Sequence, residues 1–254
     1  LKRDLSTDLS YKLSFAFQLA NILIAIAAFY FLSHMLGRGA FRGYEPFAFI
    51  LVGMTMNDIM TTSMACYSQA IRGNQPMGTL KMVLATPTSP AAFVLLSSLY
   101  PVLRSAFDAL LYVGAGLLFG LDLGRVNVLG VVAIYLLSVM AFSSIGILSA
   151  TFTLVFKRGD PLMWLFGGLS WLLGGVYYPV DVLPRFLRDA AQLLPITHAL
   201  AAMRAALLGG ASLGELGREM AILAAFAVAG LPLSLAGFYW GVRRARISGT
   251  IAHF

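Results

Sequence analysis

Long uncharged apolar stretches alternate along this chain with short polar segments, and their lengths set the first expectation. A membrane-spanning helix needs about 20 predominantly apolar residues. No Lys, Arg, Asp or Glu occurs from Leu13 to Gly37, from Val126 to Phe156, from Pro161 to Val180 or from Met220 to Val242. Pro46 to about Ala70 is interrupted only by Asp58, and Pro90 to about Gly120 only by Arg104 and Asp108. Each of the six stretches is long enough to cross. The pattern predicts an all-α integral membrane protein with six transmembrane helices in one transmembrane domain, 1–254. The first stretch is expected to be retained, because a polar turn from Gly37 to Gly43 follows it in place of a small-residue cleavage site.

Three further segments have helical periodicity without the length or apolarity to span. In residues 1–13, Leu1, Leu5, Leu9 and Leu13 recur every four positions while Asp8 and Lys12 pair on another face, which predicts an interfacial helix feeding the first span. Residues 74–87 hold Pro76, suited to a first helical turn, then Met77, Leu80 and Leu84 at i, i+3, i+7, and a stop at Thr86–Pro87. In the loop 181–219, Phe186, Leu187, Ala190, Leu193 and Leu194 form an apolar stripe from Arg185 to Leu194. Pro195 interrupts it, and a second short helix from His198 to Leu208 closes at Gly209–Gly210. This pair is expected either to dip into the outer leaflet or to lie along its surface.

Composition points the same way. The chain is 59% hydrophobic and 11% charged, whereas soluble domains average about 25% charged. Its formal charge of +7 is dispersed in ones and twos rather than gathered in a basic stripe, so nucleic acid is not expected as a partner. Topology accounts for the charge instead. With the N-terminus inside, Lys2, Arg3, Lys12, Arg72, Lys81, Lys157, Arg158, Arg243, Arg244 and Arg246 fall on the cytoplasmic side, and Arg38, Arg42 and Arg125 in the short outer loops. That imbalance predicts both termini in the cytoplasm, although the long outer loop adds Arg185, Arg188, Arg204 and Arg218.

The chemistry available to such a chain is narrow. One cysteine, Cys66, and three scattered histidines, His34, His198 and His253, offer no metal-ligand spacing and no nucleophile–base pair, so neither a metal site nor intramembrane catalysis is expected. Gly73 and Gly78 mimic the glycines of a phosphate-binding loop, but Thr79 stands where its lysine belongs and no strand precedes it. Ionisable residues in hydrocarbon cost about 2.5–3.5 kcal/mol at mid-helix, so those inside spans need partners or water. Arg104 and Asp108 stand at i,i+4 and can pair. Asn57 and Asp58 have no local basic partner and are expected to face protein or water, with Arg104 as one candidate for Asp58. The four residues are candidates for a translocation path or a subunit contact; a self-neutralised structural pair is the alternative.

The order of these elements resembles the membrane (permease) subunit of ABC-2-type transporters. The resemblance is carried by Met77-Gly78-Thr79-Leu80-Lys81-Met82-Val83-Leu84-Ala85-Thr86-Pro87 between spans two and three. It is carried also by Gly174-Gly175-Val176-Tyr177-Tyr178-Pro179, Leu183-Pro184, Leu194-Pro195-Ile196-Thr197-His198-Ala199-Leu200 and Arg204 before the last span. It implies that 74–87 is a cytoplasmic coupling helix, with Met77, Gly78, Thr79, Leu80, Lys81 and Leu84 seated in a separate ABC ATPase subunit. ATP and Mg would then be held by that partner and no cofactor by this chain. The resemblance further implies a dimer with a second copy or a related permease, in a bacterial inner membrane. The function expected is ATP-driven export of a hydrophobic or amphiphilic cargo such as a drug, a lipid or a lipid-linked glycan. A secondary transporter not driven by ATP is the alternative, though no internal repeat of the usual kind is visible.

Overall fold

The computed structural model describes residues 12–35, 41, 43–74, 90–156 and 160–247. Among them there is no strand, and five helices are long and apolar enough to cross a membrane. In chain order, α1 covers Lys12–His34, α2 Pro46–Asn74, α3 Pro90–Leu118, α4 Val128–Phe156, α5 Pro161–Leu173, α6 Arg185–Ala191, α7 Pro195–Leu207 and α8 Leu213–Ile247. The interfacial segment 1–13 falls almost wholly outside the described residues, as does most of 74–87 with all six coupling positions, Met77, Gly78, Thr79, Leu80, Lys81 and Leu84.

The packing has a centre, which is α2 with α4. α2 is buried over most of its apolar length, and α4 runs alongside it while α8 covers the opposite side of α4. α1 and α3 flank α2 and are far more exposed, as apolar helices are when lipid covers their outer faces. The two ends of the bundle are distinguished by their links. At one end, which we call distal, the Asn127 side chain donates to the Ala211 carbonyl at 2.7 Å and its backbone N–H to Ala206 at 3.0 Å, tying the start of α4 to the junction of α7 and α8. The other end holds the start of α1 and the end of α8.

One expected span is different from its sequence pattern. The uncharged stretch Pro161 to Val180 is helical only to Leu173. Those 13 residues rise about 20 Å, short of the roughly 30 Å hydrocarbon core. Gly174 caps the helix, Gly175 takes φ +77°, a conformation glycine adopts without strain, and the chain continues unwound to Pro179 before a single 3₁₀ turn, Val180–Val182. The last span differs too: α8 begins at Leu213, seven residues before the uncharged run, and ends at Ile247.

The pair of short helices after α5 is also rearranged. The first is only Arg185–Ala191, and Pro195 opens the second rather than merely ending the first, since proline at the first helical position sacrifices no hydrogen bond. Eleven of the 13 residues of α7 are buried, packed among α2, α4 and α8. A surface-lying helix would keep one wet face. α7 instead returns from within the bundle to its distal end, and the turn before it is tied back to it, the Thr197 hydroxyl donating to the Ala191 carbonyl at 2.7 Å and His198 Nε2 lying 2.8 Å from the Gln192 carbonyl oxygen, while Leu193 in the turn stays exposed.

Candidate functional site

Among the described residues, three groups of polar and charged side chains inside the bundle join elements distant in sequence. The first lies between α1, α2 and α3. Arg104 Nε donates to Asp108 Oδ1 at 3.3 Å along one helix face, as the i,i+4 spacing requires. Gln18 of α1 completes the arrangement: its Nε2 donates to Asp108 Oδ1 at 3.0 Å, and its Oε1 accepts from the Arg104 guanidinium. The amide thus offers each charged partner the group it lacks, a donor to the carboxylate and an acceptor to the guanidinium.

Beside this trio is a polar cavity of about 170 Å³, lined by Gln18, Asn21, Asp58, Asp108 and Tyr112 with two apolar residues. Asp58 therefore faces Asp108 across open space. No hydrogen bond reaches its carboxylate from the described residues, and Arg104 forms an ion pair with Asp108. Asn57 is not part of the lining; its carbonyl accepts the Thr61 hydroxyl at 3.0 Å. A cavity of this size with five polar walls admits several waters, which is how a carboxylate at membrane depth avoids the cost of hydrocarbon. The sequence pattern missed Gln18, Asn21 and Tyr112, because uncharged polar residues do not interrupt an apolar run. The i,i+3 spacing of Gln18 and Asn21, two amides on one face of a span, was the available signal.

The trio makes a testable demand. Deleting one charge of a buried pair strands the other, while replacing both with apolar groups of similar size removes the problem. Arg104→Met and Asp108→Leu singly should each lower the yield of monodisperse protein in detergent. The double variant should recover above either single one, a pattern read by fluorescence-detected gel filtration.

The second group sits at the end opposite the distal loops. Asp160 caps α5, accepting from the Met163 backbone N–H at 3.0 Å, from Ser68 Oγ at 2.6 Å and from the Ser149 hydroxyl. One carboxylate so binds α5 to α2 and α4, and negative charge at a helix N-terminus is favoured by the helix dipole.

The third group is deepest. Arg204 of α7 is 6% exposed, donates to the Phe49 carbonyl at 3.1 Å and the Val176 carbonyl at 3.0 Å, and lies with its guanidinium carbon 3.3 Å from the centre of the Phe49 ring. The Val176 carbonyl belongs to the unwound stretch after α5, so this arginine supplies a donor to backbone that has no helical partner. Gly53 makes room for it: a Cβ there would collide with the Val176 carbonyl oxygen and fall 3.0 Å from the Arg204 guanidinium. Two turns of α7 earlier, His198 Nδ1 lies 2.5 Å from Glu219 of α8. The sequence reading placed Arg204 among the outer-loop arginines; burial removes it from that count.

A bundle of long apolar helices, with a helical hairpin folded back into one end and charges confined to protein-lined contacts, defines a multi-pass helical membrane protein. The chain belongs to the ABC-2 type transporter family, whose model matches residues 1–208. It is the membrane component of a transporter, of a family whose members are transport subunits and imply an ABC ATPase as partner. No curated protein matches the chain.

Proposed function

We propose that the chain is the permease subunit of an ATP-driven exporter. Two permease subunits, a pair of these chains or this chain with a related one, enclose a path for hydrophobic or amphiphilic cargo. The segment 74–87 acts as a coupling helix docked on a separate subunit that binds ATP and Mg. The observation that carries this reading beyond family membership is the break after α5. Unwound backbone at membrane depth is tolerated only against protein or a water-filled cavity. Within the chain, Arg204 takes the Val176 carbonyl and the ring of Tyr177 stacks on Phe29 with centroids 5.4 Å apart. On its other side, α5 is bare: Trp164, Leu165, Trp171 and Leu172 are 83%, 46%, 60% and 53% exposed, and they share one helical face with Gly168. A glycine amid large apolar residues lets another helix approach closely. That face suits a second subunit.

In this reading α5 and the unwound segment together make the sixth crossing. α4 ends at the same end of the bundle as α2, where Asp160 ties them, and α8 starts at the distal end, so the chain must pass between them after Phe156. Six crossings leave both termini on one side, which the arginine and lysine distribution assigns to the cytoplasm of a bacterial inner membrane.

Two experiments test the proposal. The purified chain alone should neither bind nor hydrolyse ATP; saturable ATP binding by chain free of contaminating ATPase would overturn the division of labour. With Cys66 replaced by Ala, Gly168→Cys should be joined by a short bis-maleimide in native membranes, either to another copy or to a related permease, whereas Val132→Cys should not. Monomer from both variants would dismiss the α5 face as the subunit contact.

A further inference from the structure

A second cavity, which shares α2 and α3 with the polar one but has α4 and α7 in place of α1 as its remaining walls, has a different chemistry. It measures about 390 Å³ and is walled by α2, α3, α4 and α7, with no residue from α1, α5, α6 or α8. Of its polar lining groups, the Thr55 hydroxyl is consumed by the Leu51 carbonyl at 2.9 Å, and the Tyr135 hydroxyl is turned away to the Val102 carbonyl at 2.8 Å and to Ser105 Oγ at 3.1 Å. The phenol therefore presents only its ring. A ligand entering this cavity meets no hydrogen-bonding group, which excludes sugars, nucleotides and ions and selects hydrocarbon.

The mouth of the cavity shows where that hydrocarbon comes from. α3 and α4 pack on α2 but hardly on each other, and the gap between them is flanked by Leu110, Val132 and Leu136, which are 70%, 49% and 54% exposed. Both helices are among those long and apolar enough to cross the membrane, so the gap opens sideways to lipid. On α2 the lining runs from Leu51 to Ile59, nine residues rising about 12 Å along the helix axis, close to the roughly 15 Å depth of a single leaflet's acyl chains. It lies in the distal half, beside Met203 and Leu207 of the folded-back α7. Past Ala106, the bond from Tyr135 to Val102 bridges α3 and α4 below the mouth.

We infer that this slot is a lipid site: an acyl chain of a phospholipid in the distal leaflet enters between α3 and α4 and lies along α2 against Met56 and Met203. Bilayer lipid rather than cargo is the occupant, because neither α5 nor the polar residues of the other cavity line the slot, and its mouth lies between the exposed apolar faces of two spanning helices. The packing of α7, and with it the Arg204 anchor, is then completed by lipid.

The experiment uses the full chain in nanodiscs of phosphatidylcholine bearing a diazirine midway along one acyl chain. After photolysis, peptides containing Met56, Tyr135 or Met203 should carry label. Ala109→Phe, which fills the slot from α3, should lower that labelling at least about fivefold while labelling at Trp240 on α8 stays unchanged. Ala106→Leu is a smaller filler that keeps the test readable if Ala109→Phe accumulates poorly. Equal labelling of slot peptides in wild type and a folded filling variant, or no label in them at all, would overturn the inference. A diazirine-bearing single-chain alcohol that labels the slot where the phospholipid does not would also overturn it, in favour of an apolar cargo tail.

Discussion

Arg204→Ala should leave little folded protein. The substitution removes the donor to the Val176 carbonyl and to Phe49 and empties the space beneath the Phe49 ring, in a region where water does not replace them. An unsatisfied buried backbone group costs about 1–3 kcal/mol, and the lost packing of a long side chain adds a comparable amount. Against total stabilities of about 5–15 kcal/mol, the sum is large. Arg204→Lys keeps the charge but has neither the planar fork nor the stacking surface, so partial loss is expected. Gly53→Ala attacks the same anchor from α2 without replacing the arginine, because its Cβ meets the Val176 backbone, which cannot swing away. The check is the melting temperature of each variant in the same detergent. Arg204→Ala melting within about 2 °C of wild type would show that the carbonyls find other partners and that α7 is held by apolar packing alone.

That anchor also marks the limit of what the residues show without coordinates. Of the five membrane-length helices, α1, α4 and α8 were legible as uncharged stretches, and α2 and α3 as stretches with charge inside, because the bilayer imposes its thickness on sequence directly. α5 was not, since the stretch Pro161 to Val180 is apolar throughout. Gly174, Gly175 and Pro179 permit a break there, but whether the helix breaks depends on Arg204, 28 residues beyond Val176, arriving to take the freed carbonyl. The burial of α7 was hidden for the related reason that its stripe of apolar residues reads equally as a surface helix. Within the polar group, the Arg104–Asp108 spacing announced itself, whereas the contribution of Gln18 depends on α1 packing beside α3, a contact 86 residues distant in sequence. Asp58 was expected to meet protein or water; its position opposite Asp108 follows from the register of α2 against α3, which no local pattern specifies.

Leu80→Asp should uncouple the transporter without unfolding it. Leu80 lies in the sequence between the end of α2 at Asn74 and the start of α3 at Pro90, outside the apolar stretches, so insertion is expected to proceed without it. If Met77, Leu80 and Leu84 form the apolar stripe of a helix seated in a groove of the ATPase subunit, an aspartate in the middle of that stripe is buried without a partner. Stranding a charge in this way costs about 3–5 kcal/mol, and 3 kcal/mol already weakens docking by roughly 100-fold. ATPase stimulation by the permease and export should then fall to background, while expression, membrane fraction and gel-filtration profile stay near wild type. Leu80→Met, which preserves the apolar contact, should retain both activities. A helix resting on lipid headgroups would use the same residues but have no groove to disrupt: there the aspartate would turn to water and transport would persist. Unchanged export and unchanged ATPase stimulation in Leu80→Asp would therefore remove the coupling role from this segment and move a carrier driven by an ion gradient ahead of the ATP-driven reading.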